Sequence, residues 1–381
     1  MIRLGIGNQS SDAFLADIAA DVNWPAVRAL ASRQGLAAVT LDGVKRLMEN
    51  AGEDAAAKAL SQLDINLKFD WMGEIVVAYE QRYTAYRNTV AELAAFYQKH
   101  SIKMMVLKGY ALSLNYPVPS HRPCGDIDIY LFGKYREADE ALSGELGIKI
   151  DNGHHHHTVF NFKGYAVENH YDIVNVHYGH GNKDLEKILK QVASDDTHFT
   201  EISSASPSSA GSPEETVGIY LPSPNLHALF QIKHCMSHFA STFISPRLLL
   251  DFALFARQYS SSIDWKWLYG VLRDFGMLDF FRYLRAICIE DLGFSREQFG
   301  FEADEAAFPL DESLKKRILS DMLSPEFEEE EPKKKGMIPR VAFKFRRWQA
   351  NAWKQRLCYP GSRFVSFWNS VWAHILKPDS I

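Results

Sequence analysis

Two aspartates one residue apart interrupt a run of strand-forming residues at positions 126–130. Successive side chains of a strand point to opposite faces, so Asp126 and Asp128 share one face while Ile127 and Ile129 point into a core. Charged groups are costly in a half-buried strand unless another group neutralises them. Two adjacent carboxylates repel each other, and a divalent cation between them removes that repulsion. The pair therefore predicts a strand that carries part of a metal site.

The segment before the aspartates predicts a second strand of the same core. Residues 102–107 are mostly apolar and are followed by Lys108 and Gly109. A short apolar run that ends at a glycine is typical of a buried strand and the turn after it. A short helix and a loop with three prolines then connect this turn to the aspartates.

A hairpin downstream supplies a candidate for a third acid. Two runs of alternating apolar residues flank Lys163 and Gly164, a pair that suits a two-residue turn. In the register set by that turn, Glu168 and His170 share one face of the hairpin. Glu168 is the preferred third carboxylate, and Asp172 on the same face is the alternative.

Four consecutive histidines lie at the start of this hairpin, at positions 154–157. Only alternate side chains of a strand share a face, so the four rings cannot all reach one ion. The predicted register places His157 opposite His170. Two interpretations stay open: a polar strand end near the active face, or a role for His155 or His157, with His170, in binding substrate or acting as a base.

A second set of polar side chains follows one stripe of a helix predicted beyond Pro224. The members of the stripe are His227, Gln231, His234 and His238. Their spacings of four, three and four residues place them on one helix face. No acid stands beside them, so a zinc site is disfavoured. We expect a polar face packed toward a cleft, with His234 and His238 near a bound substrate.

Together these segments resemble a known family, the uncharacterised bacterial nucleotidyltransferases of the polymerase-beta superfamily. The similar motifs are a Leu-Lys-Gly strand end, a Tyr-Pro…Arg loop, an Asp-Ile-Asp strand and a Val-Glu-x-His strand, at 107–109, 116–122, 126–128 and 167–170. Weaker similarity extends into helices on both sides. The resemblance implies an α+β fold with a polymerase-beta-like core, in which a small mixed sheet is flanked by N- and C-terminal helical regions.

The resemblance also implies a reaction. Asp126, Asp128 and Glu168 would be the catalytic residues and would hold Mg²⁺, or Mn²⁺ in its place. An acceptor hydroxyl would attack the α-phosphate of a nucleoside triphosphate in line and release pyrophosphate. The acceptor stays unidentified, since a sugar, a protein hydroxyl, a small molecule and an RNA end all suit this chemistry.

The residues that the resemblance implies for nucleotide binding are Lys108, Gly109, Tyr110 and Arg122. Tyr110 stands where the superfamily carries a second glycine or a serine that grips the phosphates. Lys108 and Arg122 are therefore expected to supply phosphate contacts, the arginine through its bidentate fork.

Charge is distributed unevenly along the chain. The net charge is −5, but residues 332–381 carry eleven basic residues and one acidic residue, so residues 1–331 carry −15. The acidic body disfavours nucleic acid as a partner. The tail also carries an apolar helical stripe between residues 364 and 376, which favours either a membrane-surface helix or a segment docked on the acidic body. We prefer docking.

The pattern divides the chain into an N-terminal helical region (1–100), an α/β core (101–202), a flexible Ser- and Pro-rich loop (203–218), a C-terminal helical domain (219–331) and the basic aromatic tail (332–381). Four scattered cysteines and the lack of a long apolar segment predict a cytoplasmic protein. A non-catalytic nucleotide-fold module, recruited to a membrane or polyanion by the tail, is the alternative to an enzyme.

Overall fold

The computed structural model describes residues 1–8, 22–49, 61–177, 181–195, 197–204, 215–300, 309–327 and 337–359. The strands are β1 (Met105–Val106), β2 (Ile127–Tyr130), β3 (His157–Phe162), β4 (Tyr165–His170), β5 (Thr197–Ser204) and β6 (Glu215–Pro222). The helices before β5 are α1 (Ile2–Gly5), α2 (Trp24–Arg33), α3 (Ala37–Glu49), α4 (Ile65–Glu74), α5 (Arg82–Lys99), α6 (Tyr110–Ser113), α7 (Tyr135–Leu146) and α8 (Asn182–Asp195). Those after β6 are α9 (Pro224–Ser241), α10 (Pro246–Tyr259), α11 (Trp265–Asp274), α12 (Leu278–Glu290), α13 (Glu312–Leu323), α14 (Met337–Ala350) and α15 (Ala352–Cys358).

The described strands form one mixed sheet of six, in the order β3-β4-β2-β1-β6-β5. The pairs β3–β4, β1–β2 and β5–β6 are antiparallel, while β2–β4 and β1–β6 are parallel. The expected α+β class with a mixed sheet is confirmed. The parallel pairing of β2 with β4 puts the acidic strand directly beside the strand that carries Glu168.

Helices cover both faces of the sheet. Ile127 and Ile129 belong to one buried cluster, which also contains Tyr86 of α5 and Leu142 of α7. Met105 belongs to a second cluster, formed mainly by α9, α10 and α12. Because side chains alternate along a strand, Asp128 points away from the isoleucines and toward the face covered by α9.

The predicted hairpin is confirmed in its turn and register. Lys163 and Gly164 have φ values of 50° and 87°, and positive φ at both turn positions is the requirement of a type I′ turn. Val159 pairs with Glu168 and His157 with His170, as the sequence predicts. The ladder ends at that last pair, so Asp172 lies beyond the strand, where Lys190 Nζ is 2.5 Å from its carboxylate.

The predicted N-terminal helical region ends in one long helix made of α4 and α5. A π-helical segment, Ile75–Gln81, joins α4 to α5 without a break. Short 3₁₀ helices occupy Pro119–His121, Ser260–Ser262 and Arg296–Phe299.

Strand structure extends into both ends of the segment that composition predicts as a loop, residues 203–218. β5 continues to Ser204 and β6 begins at Glu215, and the two pair along their whole length. The ladder is made by backbone groups, so the Ser- and Pro-rich composition obscured it. β6 also places residues 219–222 in the sheet, which corrects the boundary between the core and the C-terminal helical domain.

The tail docks on the body through α15. Lys354 Nζ lies 2.6 Å from Asp321 Oδ2, and both side chains are fully buried. Asn351 and Gln355 donate hydrogen bonds to the carbonyls of Ser241 and Ala240, at the end of α9. The apolar stripe predicted at 364–376 lies outside the described residues. Within the described part of the chain, no helix has both the length and the apolar character to cross a membrane.

Candidate active site

The turn after β1 requires glycine for two reasons. Gly109 has φ +55° and ψ −106°, a conformation that side chains with a Cβ rarely adopt. A Cβ there would lie 2.0 Å from the hydroxyl oxygen of Tyr86. That hydroxyl donates a hydrogen bond of 3.0 Å to the carbonyl of Asp126. Tyr86 of α5 therefore fixes the turn after β1 against the residue that precedes β2.

Asp128 and Glu168 lie side by side on neighbouring strands. The parallel register of β2 and β4 pairs them directly. His170 Nε2 is 3.3 Å from Asp128 Oδ1 and 3.5 Å from Glu168 Oε2. One possible ligand atom from each of these three residues lies within 4.8 Å of the other two. The preferred third carboxylate thus faces Asp128 across a gap that one ion can bridge.

Positive groups already surround these acids. Lys108 Nζ lies 2.5 Å from Asp128 Oδ1. Burial alone would raise the pKa of Asp128, but Lys108 and His170 outweigh it and hold that pKa well below its usual range. Burial lowers the pKa of Lys108, yet the charges of Asp128, Asp126 and Glu168 together raise it above its ordinary value. Lys108 therefore lies within the field of all three predicted catalytic acids.

The pKa of His170 shows the same balance. Burial lowers it, but hydrogen bonds to Asp128 and Glu168 prevail and raise it to about 9. In return, the hydrogen bond from His170 outweighs burial and holds the pKa of Glu168 below its usual value. At neutral pH His170 is therefore a cation between two carboxylates.

Asp126 lies just before β2 and is more exposed than Asp128. It stays outside the compact group that Asp128 forms with Glu168 and His170. The negative charge of Asp128 is the main cause that raises the pKa of Asp126. Repulsion of this kind disappears when a cation lies between the acids.

The residues present fit a divalent cation. Asp128 Oδ2 is buried and has no hydrogen-bond partner among the described residues, and an unsatisfied buried carboxylate oxygen is costly. Glu168 is partly exposed and lies beside it. Carboxylate oxygens are the ligands that Mg²⁺ and Mn²⁺ prefer, and an imidazole is also acceptable to transition metals.

Arg122 is held in a buried network. Its Nε and Nη2 atoms donate to the two oxygens of Asp251 at 2.8 and 2.9 Å, and Nη1 donates to the Gly109 carbonyl at 3.3 Å. Asp251 also accepts a hydrogen bond of 2.7 Å from Tyr116. Arg247, the partner that helical spacing suggests for Asp251, is farther away at 3.7 Å. Arg122 therefore connects the turn after β1 to α10.

Tyr110, the remaining residue implied for nucleotide binding, begins α6. It is buried in the cluster that also holds Val106 and Ile127. Burial raises the pKa of its hydroxyl. Its backbone carbonyl accepts a hydrogen bond of 2.6 Å from the Ser113 hydroxyl.

The charges of the acidic group act on two histidines of helix α9, His234 and His238. Burial is the main cause that lowers the pKa of His234, and Lys108, Asp128 and His170 are among the charges acting on it. The charges of Lys108 and Glu168 likewise act on His238, whose pKa is lowered mainly by burial. The two rings stack edge to face at 4.4 Å.

The sequence indicated some of these contacts and gave no sign of others. Asp251 stands in an apolar helix, which signals a buried acid with a partner, but the partner Arg122 is distant in sequence. Nothing in the helical pattern around Tyr86 distinguishes it from a core aromatic residue. His170 entered the prediction as a substrate contact, whereas it bridges Asp128 and Glu168.

Comparison with known proteins adds one positive finding. A family described as uncharacterised nucleotidyltransferase matches residues 20–293. No curated protein and no solved structure matches the chain. The match spans the sheet, the acids and the helices α9 to α12, and it ends before the tail. The chain therefore belongs to this uncharacterised nucleotidyltransferase family.

Proposed function

We propose that the chain is a Mg²⁺-dependent nucleotidyltransferase, with Mn²⁺ as an alternative ion, whose sheet is a polymerase-beta-like core. It moves a nucleoside monophosphate from a nucleoside triphosphate to an acceptor hydroxyl. The observation that supports this best is the pairing of Asp128 with Glu168 across parallel strands, beside Lys108. The buried unpaired oxygen of Asp128 adds to it.

The acids and the turn after β1 have separate roles in this proposal. Asp126, Asp128 and Glu168 would hold the cation. When bound, such an ion lowers the pKa of the acceptor hydroxyl and neutralises the charge that develops on pyrophosphate. A triphosphate in the cleft would offer Lys108 a second anionic partner beside the Gly109 turn. Positioning of the triphosphate would then supply much of the catalysis.

The histidines are proposed to contact the nucleotide or the acceptor. Burial is the main cause that lowers the pKa of His157, to about 4, so its ring is neutral at pH 7. His234 is neutral for the same reason. A neutral imidazole can accept a hydrogen bond from a hydroxyl group. His238 completes this set, whereas His170 is assigned to the acids, because its cationic ring lies between Asp128 and Glu168.

Arg122 has a modified role in the proposal. Its guanidinium is occupied by Asp251 and by the Gly109 carbonyl, so we assign it to holding the turn that faces the phosphates.

All four cysteines are free and buried, which supports the cytoplasm as the proposed compartment.

A second candidate is a nucleotide-fold module without catalysis. The observation that favours it is the neutralisation of Asp128 by Lys108 and His170, which reduces its need for a metal. Membrane recruitment by the tail would depend on residues beyond α15, since α15 itself packs on the body. Co-sedimentation of anionic vesicles with the full chain and with a chain that ends at residue 359, which keeps the docked helix α15, tests that part.

Nucleotide binding distinguishes the two candidates. Titrate ATP and GTP into the full chain by calorimetry, once with Mg²⁺ and once with EDTA, and repeat with Asp126→Asn/Asp128→Asn. The enzyme proposal predicts that Mg²⁺ strengthens binding to the wild type and has no such effect on the double variant. Asp172→Asn is the matched control, because Asp172 is an acid near the sheet that pairs with Lys190. Unchanged Mg²⁺-dependent binding in the double variant would overturn the proposal.

A further inference from the structure

A second group of possible metal ligands adjoins the acids. One ring nitrogen from each of His156, His157 and His170 lies within 4.8 Å of the others. The ring centroids are 4.3 Å apart for His156 and His157, 5.4 Å for His156 and His170, and 5.2 Å for His157 and His170. The three imidazoles therefore surround one point rather than forming a row.

Two of these rings have unsatisfied nitrogen atoms. Nδ1 of His156 and Nδ1 of His157 are both buried and have no hydrogen-bond partner in the part of the chain that the structure describes. His157 is only 7% exposed, so water does not readily replace the missing bond. Buried polar atoms in folded proteins normally have a hydrogen-bond partner. A buried nitrogen without one needs an explanation, and a bound ion is one such explanation.

The local fold explains why two consecutive histidines reach the same point. His157 is the first residue of β3 and pairs with His170 across the hairpin. His156 lies just before the strand, where its carbonyl accepts hydrogen bonds from the backbone N–H groups of Tyr171 and Asp172. The alternation that separates neighbouring side chains in a strand therefore does not apply to His156.

We propose that His156, His157 and His170 bind a transition-metal ion of the Zn²⁺ class, at a site distinct from the carboxylate site but adjoining it through His170. A metal ligand must be a neutral imidazole, so binding would displace the proton of the His170 cation and one of its two ring contacts, with Asp128 or with the Asp172 carbonyl. Imidazole nitrogen is a preferred ligand of Zn²⁺ and a poor one for Mg²⁺. Three protein ligands with one open position is a common zinc arrangement. Glu168 Oε2 lies 4.0 Å from His157 Nδ1 and is a candidate for that open position.

The remaining histidines of the run provide a matched control. The ring of His155 lies 5.4 Å from that of His177, which is not part of the three-histidine group. If metal binding came only from a surface-exposed polyhistidine sequence, His155 would contribute as much as His157. If the site is the one proposed, His155 is dispensable.

The test uses the full chain without a polyhistidine tag, stripped with chelator and kept in excess Mg²⁺. Zn²⁺ is titrated by calorimetry, and Co²⁺ is followed by visible absorption, which reports low-coordinate nitrogen ligation. We expect one ion per chain. His157→Asn and His156→Asn should each weaken Zn²⁺ binding by more than about 100-fold. That figure is the upper end of the loss expected when the mutated residue only supports a metal ligand.

The controls separate this site from its neighbours. His155→Asn should leave the affinity unchanged, and Asp128→Asn should weaken Zn²⁺ binding less than His157→Asn does. The absence of stoichiometric binding, retention of binding in both ligand variants, or equal loss in His155→Asn would each overturn the proposal. Because His156 is partly exposed, His156→Asn still tests the site if His157→Asn lowers the thermal stability of the metal-free protein.

Discussion

Removal of Asp251 should destabilise the protein strongly, because it leaves a buried arginine without its counter-ion. Arg122 is 4% exposed and Asp251 is 1% exposed. Breaking a buried ion pair from one side costs about 3–5 kcal/mol. The Tyr116 hydroxyl also loses a charged acceptor, at about 1.5 kcal/mol, although the two losses overlap. Asp251→Ala should therefore lower the free energy of unfolding by about 4 kcal/mol, a large part of the 5–15 kcal/mol typical of folded proteins.

Urea denaturation, followed by circular dichroism and tryptophan fluorescence, measures this loss. Arg122→Met should cost a similar amount, and Arg122→Met/Asp251→Leu should cost clearly less than the sum, since no buried charge is left unpaired. Arg247→Ala is the matched control: its ion pair with Asp251 is longer and more exposed, so the expected cost is below about 1 kcal/mol. A loss below about 1 kcal/mol for Asp251→Ala, or strict additivity in the double variant, would refute the reasoning.

Three further outcomes are expected. Gly109→Ala should cost at least about 2 kcal/mol, because a Cβ would be strained at φ +55° and would overlap the Tyr86 hydroxyl; urea denaturation of the variant measures it, and a neutral effect would contradict the turn geometry. In metal-free buffer, the stability due to His170 should be fully present below about pH 6.5 and fall by about 3 kcal/mol as pH rises through its folded pKa of about 9. His170→Asn should flatten that interval of the pH–stability curve, and an unchanged curve would argue against the raised pKa. Lys354→Met should lower the free energy of unfolding by about 3–5 kcal/mol, and with it the melting temperature, because Asp321 stays buried without its partner. A loss of unfolding free energy below about 1 kcal/mol would contradict the docked tail.

The local patterns of the core were readable from the sequence. Alternation around Lys163-Gly164 fixed the hairpin and paired Val159 with Glu168, because a two-residue turn determines register and register determines which side chains share a face. The parallel pairing of β2 with β4 could not be predicted in this way. It depends on packing between segments about forty residues apart, and no local pattern encodes it.

The contacts around the site show the same limit. Lys108 was expected to meet phosphate, and it contacts Asp128; Arg122 was expected to do likewise, and it bonds to Asp251 in α10. A charged side chain pairs with whichever opposite charge the fold brings near, and burial makes that pairing obligatory. Composition likewise gave a wrong prediction for the ends of β5 and β6. The hydrogen bonds of a strand pair are made by backbone groups, so serine can take part in them as well as valine.

Anomalous scattering from Mn²⁺ in crystals soaked with a non-hydrolysable nucleoside triphosphate tests the central claim most directly. The account predicts an anomalous peak within coordinating distance of Asp128 and Glu168, with the triphosphate beside Lys108 and Gly109. Nucleotide bound elsewhere, or a peak absent from these carboxylates while the nucleotide is ordered, would contradict it.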